Sequence, residues 1–472
     1  MRSDLRRLLA LVAVVGTLVA APGAFVRSTY GGLASVDEPQ YLLTAISLWE
    51  DRSLDIDDEL DDERWRTFHQ AQLPQQTQPQ PDGSQIAPHD PLLSLLLALP
   101  YRLCGVTGAR WLLALVNGAL AAALLHLAHR RFAVGRALAT TGALTAAASV
   151  PFVVYGSQLY PELPAALAVT LAVDAGLAPV RRRSSAIVAA AIIALPWLSV
   201  KYVPVAAVVA LLHLWRLQRE HAVTHRNGLL ATYVAAGLGY VVAHLAWYGG
   251  LTVYAAGDFF VEQGSQFSVL GTRPNPLGRS RRLIGLLVDR GFGIAAWQPA
   301  WLAMLPALGA LAVRRPARWT WLAAPLVVGW AGATWAAVTM HGYWFPGRHV
   351  LHALPLAVVL VLWWVQQGGP WLRGTVSVLA SLGVWATVGL LSGGLAGDLT
   401  FVVDFAGVDH AGYETWSRLL PDHYANPSGI DAGTALWILV AVTAIAAGAA
   451  RARRSTAADD HATTGQSPSA VV

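Results

Sequence analysis

Cysteine is almost missing from this chain: Cys104 is the only one in 472 residues. That excludes an intrachain disulfide and a multi-cysteine metal centre. Charge is scarce as well, at 13% of residues. A soluble domain carries about 25%, so an ordinary soluble fold is excluded. Lysine occurs once, as Lys201, and the remaining basic residues are arginines. No repeat of solenoid period is present. The long apolar runs lack the two-residue alternation of a membrane barrel strand, which excludes that class. The formal charge of +5 does not indicate nucleic-acid binding. The arginines fall in short clusters between apolar runs, which is how orientation is encoded in a membrane.

Hydrophobic residues make up 55% of the chain and the mean hydropathy is +0.47. Runs long enough to cross a bilayer recur along the whole length, and helices satisfy their own backbone groups in lipid. The expected fold is therefore all-α and polytopic. Twelve spans are predicted at 8–27, 110–128, 137–157, 160–179, 184–200, 202–217, 228–254, 293–313, 319–340, 349–366, 371–392 and 433–450. The start, with Arg2, Arg6 and Arg7, resembles a signal peptide. It shows no convincing small-residue cleavage site and is read as a retained first helix. Pro91 to Cys104 is apolar but short, and is read as a juxtamembrane or re-entrant helix. With that choice every short arginine cluster falls on the cytoplasmic side, together with both termini, while most acids fall outside. The expected location is the cell (inner) membrane.

Residues 1–454 then form one transmembrane domain, and 455–472 a polar, disordered cytoplasmic tail. The first outer segment, 28–109, is long. It holds an amphipathic juxtamembrane helix at Glu38–Glu50, an acidic stretch from Asp51 to Arg66, and a mobile Gln/Pro loop from Gln70 to Gly83. A smaller outer segment covers 393–432.

Ionisable groups beside lipid are functional candidates. Asp37 and Glu38 stand at the outer mouth of the first span. A carboxylate there can take a proton from an incoming hydroxyl or hold a metal; it can also simply favour the start of the following helix. His89 and Asp90 precede Pro91, where Asp90 also reads as a helix cap. Glu162, after Tyr160-Pro161, opens a span. Lys201, flanked by aromatic residues, suits a phosphate oxygen or snorkels to headgroups. His341 to His349 form an outer turn. In it Arg348 can bind phosphate in bidentate fashion, and Tyr343 and Trp344 can stack on a sugar or mark the interface. His349 and His352 lie on one helical face, but without a third ligand no metal site is assigned.

Together these residues resemble the GT-C class of integral membrane glycosyltransferases. The likeness is to the branch that includes protein O-mannosyltransferases and aminoarabinose transferases. It rests on Asp37-Glu38 followed by Tyr41, the Pro91-Leu92-Leu93 helix entry, Tyr160-Pro161-Glu162, the stretch from Gly291 to Pro299, and the aromatic-Gly-Arg turn from Tyr343 to Arg348. It extends to about residue 366. The chain departs from that pattern at Pro88-His89-Asp90-Pro91, where an extra acid appears. The 393–432 segment is also too short for a large soluble substrate-binding domain.

The resemblance implies a GT-C-like fold with juxtamembrane helices in the first outer loop. It implies transfer of a sugar from a polyprenyl-phosphate donor to an extracytoplasmic acceptor hydroxyl on a glycan, lipid or protein, with inversion. Asp37, with Glu38, would serve the acceptor hydroxyl. Lys201 and Arg348 would bind the donor phosphate. His89, Asp90, Tyr160, Glu162, His341, Tyr343 and Trp344 would line the pocket, and the Gln/Pro loop would be a lid ordered by substrate. No cofactor is required, and a divalent metal is compatible. The reading from another class is a transporter or flippase for a lipid-linked sugar or other amphiphile. Against it, no two similar halves are evident and the polar candidates gather at the outer face.

Overall fold

The computed structural model describes residues 2–73, 76–256, 275–337, 339–408, 410–423 and 430–464. Helices carry nearly all the regular structure. Among the described residues there is no sheet, only isolated bridges such as Gly32 with His69 and Asp55 with Ile86. In chain order the helices are α1 (Arg2–Ala20), α2 (Glu38–Glu50), α3 (Asp57–Asp61), α4 (Leu92–Arg131), α5 (Arg136–Ala147), α6 (Phe152–Tyr155), α7 (Glu162–Gly176), α8 (Arg182–Leu198), α9 (Val203–Arg219) and α10 (Val223–Tyr248). They continue as α11 (Pro276–Ser280), α12 (Arg282–Val288), α13 (Ile294–Trp297), α14 (Met304–Arg314), α15 (Thr320–Ala331), α16 (Leu354–Gln366), α17 (Pro370–Ala396), α18 (Ala411–Ser417) and α19 (Ala432–Thr464).

This is an all-α polytopic membrane protein. Each of the twelve predicted spans contains helix, and among the described residues six helices are long and apolar enough to cross a bilayer by themselves. Others are shorter than their apolar runs for identifiable reasons. The run at 137–157 stops at Ala147 and resumes only at Phe152, on either side of Pro151, whose ring cannot continue a helix. The stretch at 349–366 is helical only from Leu354, next to Pro355 in the first turn. Leu92 to Arg131 is two helices joined at a break: Cys104 and Gly105 leave helical geometry, and Gly105 has φ +59. A left-handed φ is where glycine is favoured. The short apolar segment before residue 105 is thus separated from the span that follows.

Helix pairs approach closely where side chains are small. Helix α1 lies along α4, and a Cβ on Gly118 would collide with the Ala13 carbonyl and with Thr17. Such small-residue contacts are how helices pack when lipid provides no hydrophobic drive. Asn117 fastens the same junction, donating to the carbonyls of Gly16 (2.9 Å) and Ala147 (3.1 Å). At the other end of the bundle, Asp174 accepts from Arg131 Nε and pairs with His126 Nδ1, each at 2.9 Å.

The segment between α1 and the long α4 span folds back on the helices. Helix α2 packs on α4 and buries Tyr41, Leu42, Leu43 and Ile46. The backbone of Gly31 to Ala34 pairs with Phe68 to Gln70, and Ile56 donates to the Gln85 carbonyl. The Gln/Pro run has no regular structure, yet its described part is tied down. Gln76 is buried and donates to the Val36 carbonyl (3.0 Å), and Thr77 bonds Gln85 (2.9 Å). The chain after α17 rests on this segment: Phe401 and Val402 donate to the carbonyls of Arg27 and Ser28. Phe401, Phe405, Phe345, Trp297 and Tyr413 make an aromatic layer there.

Candidate active site

Asp37 stands immediately before α2, at its N-cap position, but its carboxylate does not cap the helix. The residue before it, Val36, has φ +60, a conformation that a β-branched residue rarely adopts. The Asp37 side chain turns instead to Arg348, whose Nη2 lies 2.5 Å from Oδ2. The same guanidinium donates through Nε to Glu162 Oε1 at 2.9 Å. That carboxylate oxygen also receives Lys201 Nζ at 2.6 Å. Asp37, Arg348, Glu162 and Lys201 therefore form one unbroken chain of two acids and two bases.

The members differ in access. The Glu162 side chain is fully buried, that of Asp37 is 18% exposed and that of Lys201 33%. Glu162 is the inner anchor, and the chain's two ends reach outward. The Arg348 guanidinium carbon lies over the Tyr160 ring, 4.2 Å from its centroid, with the Trp344 ring 5.2 Å away. Among the described residues, three buried polar atoms here have no hydrogen-bond partner: Glu162 Oε2, Tyr160 Oη and Tyr202 Oη. Orphaned groups of this kind are rare in folded proteins. Burial alone would raise the Asp37 carboxyl. The Arg348 charge, with His89, the bond to Arg348 and Lys201, outweighs that and holds it below the usual carboxylate range.

Glu38 faces the other way. Its Oε2 accepts from Ser28 Oγ (2.5 Å) and the Ser35 N–H (3.1 Å), and its Oε1 accepts from the Leu159 N–H (2.8 Å). Arg110 backs this arrangement, donating to the carbonyls of Ala24 (3.0 Å), Val26 (2.7 Å) and Leu33 and to Ser28 Oγ. Burial raises the Glu38 carboxyl against the opposing pull of Arg110 and these donors. Both of its oxygens are thus engaged in holding the 24–35 turn and the Leu159 loop.

His89 stacks on Tyr41, with ring centroids 4.5 Å apart, and its Nε2 lies 3.3 Å from Gln76 Oε1. Asp90 is not the helix cap the sequence suggests: Pro91 holds that position and no side chain caps α4, because both Asp90 oxygens are drawn to other partners. Its Oδ1 receives Tyr240 Oη and His244 Nε2, and its Oδ2 receives the Val200 N–H, all at 2.9 Å. Asp90 thus clamps α10 to the turn that carries Lys201. His341 belongs to a different group. It lies 3.5 Å from Asp289, which also pairs with His423 at 3.3 Å. Burial would raise the Asp289 carboxyl; the adjoining His341 and His423 rings, with the Phe292 N–H, hold it low instead. Tyr343 is 68% exposed and its ring is not among those stacked on Arg348.

Three residues were not singled out from sequence. Arg110 is 1% exposed inside an apolar run, and an isolated arginine there is a signal in its own right. Tyr240 and His244 sit one turn apart on α10, and only the fold brings Asp90 between them.

The fold and this charged centre together define a polytopic α-helical membrane protein with a buried network of acids and bases. Its fold is similar to that of ArnT from Cupriavidus metallidurans in the apo state, at 14% identity and TM-score 0.51, covering 96% of this chain and 72% of that one. The same protein bound to undecaprenyl phosphate gives 14% identity and TM-score 0.49, covering 97% of this chain and 79% of that one. No protein-family model and no curated protein matches the sequence.

Proposed function

We propose that this protein is a membrane glycosyltransferase that moves a sugar from a polyprenyl-phosphate donor to an extracytoplasmic acceptor hydroxyl. The observation that carries the proposal is the chain Asp37–Arg348–Glu162–Lys201 beside three unpartnered buried polar atoms. The ArnT-like fold supports it, since one of those crystal structures holds undecaprenyl phosphate.

The chemistry follows from the charges. A donor phosphate entering between Arg348 and Lys201 meets two cations oriented by Glu162. Sharing Arg348 with the phosphate weakens its hold on Asp37, and the Asp37 carboxyl rises toward the range of a working base. The acceptor oxygen attacks the anomeric carbon from the face opposite the phosphate. The new carbon–oxygen bond forms as the bond to phosphate breaks, the phosphate keeps the electron pair, and the acceptor proton passes to Asp37. One displacement inverts the anomeric centre. Glu38 would hold the loops around Asp37 rather than touch substrate. His89, Asp90, Tyr160 and Trp344 would shape the pocket. The protein would act in the inner membrane with this centre on the extracytoplasmic side, the orientation the arginine clusters favour. No resident cofactor is required by these steps.

The test is turnover of a panel of radiolabelled polyprenyl-phosphate sugars by purified wild type and Asp37→Asn. Sugar transfer or donor hydrolysis by wild type, lost in the folded variant, is the expected result. Equal turnover by both would overturn the role of Asp37. No turnover of any donor, with translocation of a lipid-linked sugar in liposomes, would overturn the enzyme in favour of a flippase.

A further inference from the structure

The acidic stretch after α2 contains a group that the site above does not use. Asp51, Asp58 and Glu59 each present a carboxylate oxygen, and these oxygens all lie within 4.8 Å of one another. Most neighbouring acids are already satisfied. Glu50 takes Arg64 through two hydrogen bonds, Glu63 takes Arg66, Asp57 accepts from Gln85 Nε2, and Asp55 accepts from the backbone of Asp57 and Gln85. Among the described residues no lysine or arginine forms an ion pair with Asp51, Asp58 or Glu59.

Two further observations point to a ligand. Glu59 is only 2% exposed, and its Oε2 is buried without a hydrogen-bond partner. A carboxylate this deep is normally paired. Asp51 in turn is the residue that ends α2, where the helix dipole is negative and an acid is disfavoured. Each of these features is relieved by one positive ion at the same place.

We propose that Asp51, Asp58 and Glu59 bind a divalent cation of the calcium class that fastens the end of α2 to α3. The donor set is all oxygen, with no histidine or cysteine, and so selects a hard ion over zinc. The spacing agrees: calcium–oxygen bonds of roughly 2.3–2.6 Å place two ligands up to about 5 Å apart across the ion. Second carboxylate oxygens and water complete the shell. The 13 residues of α2 put this site about 20 Å from Asp37. The ion therefore acts on the frame that carries Asp37 and takes no part in the transfer chemistry. The inference stands whether or not the transferase reading does.

Calorimetric titration of calcium chloride into full-length protein, purified in detergent and stripped with EDTA, tests it. Wild type should bind one ion per chain with saturable affinity, near or below the roughly millimolar range of extracellular calcium modules. Glu59→Gln should weaken binding at least tenfold. Asp51→Asn and Asp58→Asn, at exposed positions, give the same readout if Glu59→Gln does not fold. Calcium should also raise the melting temperature of wild type and not of a variant that has lost binding. Absence of saturable binding in wild type, or affinity unchanged in the variants, would overturn the site.

Discussion

Arg348 Nη2 lies 2.5 Å from Asp37 Oδ2, a contact between residues 311 positions apart in the chain. It joins the start of α2 to the turn before α16, and the same guanidinium continues to Glu162. Two nitrogens of one planar fork are used on two different acids. Lysine has a single charged nitrogen and no fork. Arg348→Lys is therefore expected to lower donor turnover about 100-fold or more, as loss of a charge-stabilising donor does. Asp37 should at the same time lose part of the pairing that holds its carboxyl low. Single-turnover rates with the active donor would check this, and a rate within threefold of wild type would remove Arg348 from the proposed phosphate site.

Glu162 has no access to solvent and holds two cations. Breaking a buried pair by removing one partner typically costs about 3–5 kcal/mol, because the other charge is left behind. Glu162→Gln should destabilise the protein on that scale, and it should also free Lys201 and Arg348 to move. Lys201→Met removes one of the stranded cations. The double variant should therefore lose less than the sum of the two single losses. Denaturation midpoints for all four proteins form the cycle, and simple additivity would show that the Glu162–Lys201 contact is energetically empty.

Asp90 holds the Lys201 turn through the Val200 N–H and α10 through Tyr240 and His244. Asp90→Asn keeps the shape but has only one acceptor oxygen for three donors. Lys201 should then be less well placed for the phosphate. The expected outcome is a rise in KM for the lipid donor of about tenfold, with kcat changed less, because ground-state placement of the donor is what suffers. His244→Ala should move the same parameter. If both variants changed kcat alone, the clamp would have to act on the reacting groups and not on Lys201.

How legible each residue is in the sequence depends on the kind of signal it gives. Asp37, Lys201 and Arg348 stand out locally, as charges set beside apolar runs. The helical segments stand out for the same reason, since lipid enforces long uninterrupted apolarity. The partners do not stand out. Glu162 reads as an ordinary acid at a helix start, yet it is the hub of the charged chain. Asp90 reads as a cap before Pro91, yet its oxygens serve residues 110 to 154 positions away. Asp37 and Glu38 are adjacent and chemically similar, and no local rule separates them. The helix turns one carboxylate toward Arg348 and the other toward Ser28 and Leu159. Only the packed arrangement distinguishes them.

His89 provides a pH test of the same region. Burial is the main cause that lowers its pKa below 6.5, and the charges of Arg348 and Lys201 add to it, while Asp37 and Asp90 pull the other way. The folded protein therefore keeps His89 neutral where the unfolded chain would take up a proton. The sign follows: stability linked to His89 is present in full above about pH 6.5 and is lost as pH falls below it, because the unfolded state binds more protons there. Asp37, also lowered, works in the same direction, but only in the more acidic range of a carboxylate. Between pH 8 and pH 5 the difference between wild type and His89→Gln isolates the histidine. The wild-type melting temperature should fall more steeply than that of the variant across this window. Parallel curves would mean that His89 is as easily protonated in the folded protein as in the unfolded one. Its stacking on Tyr41 and its contact with Gln76 would then have to accommodate an imidazolium beside Arg348.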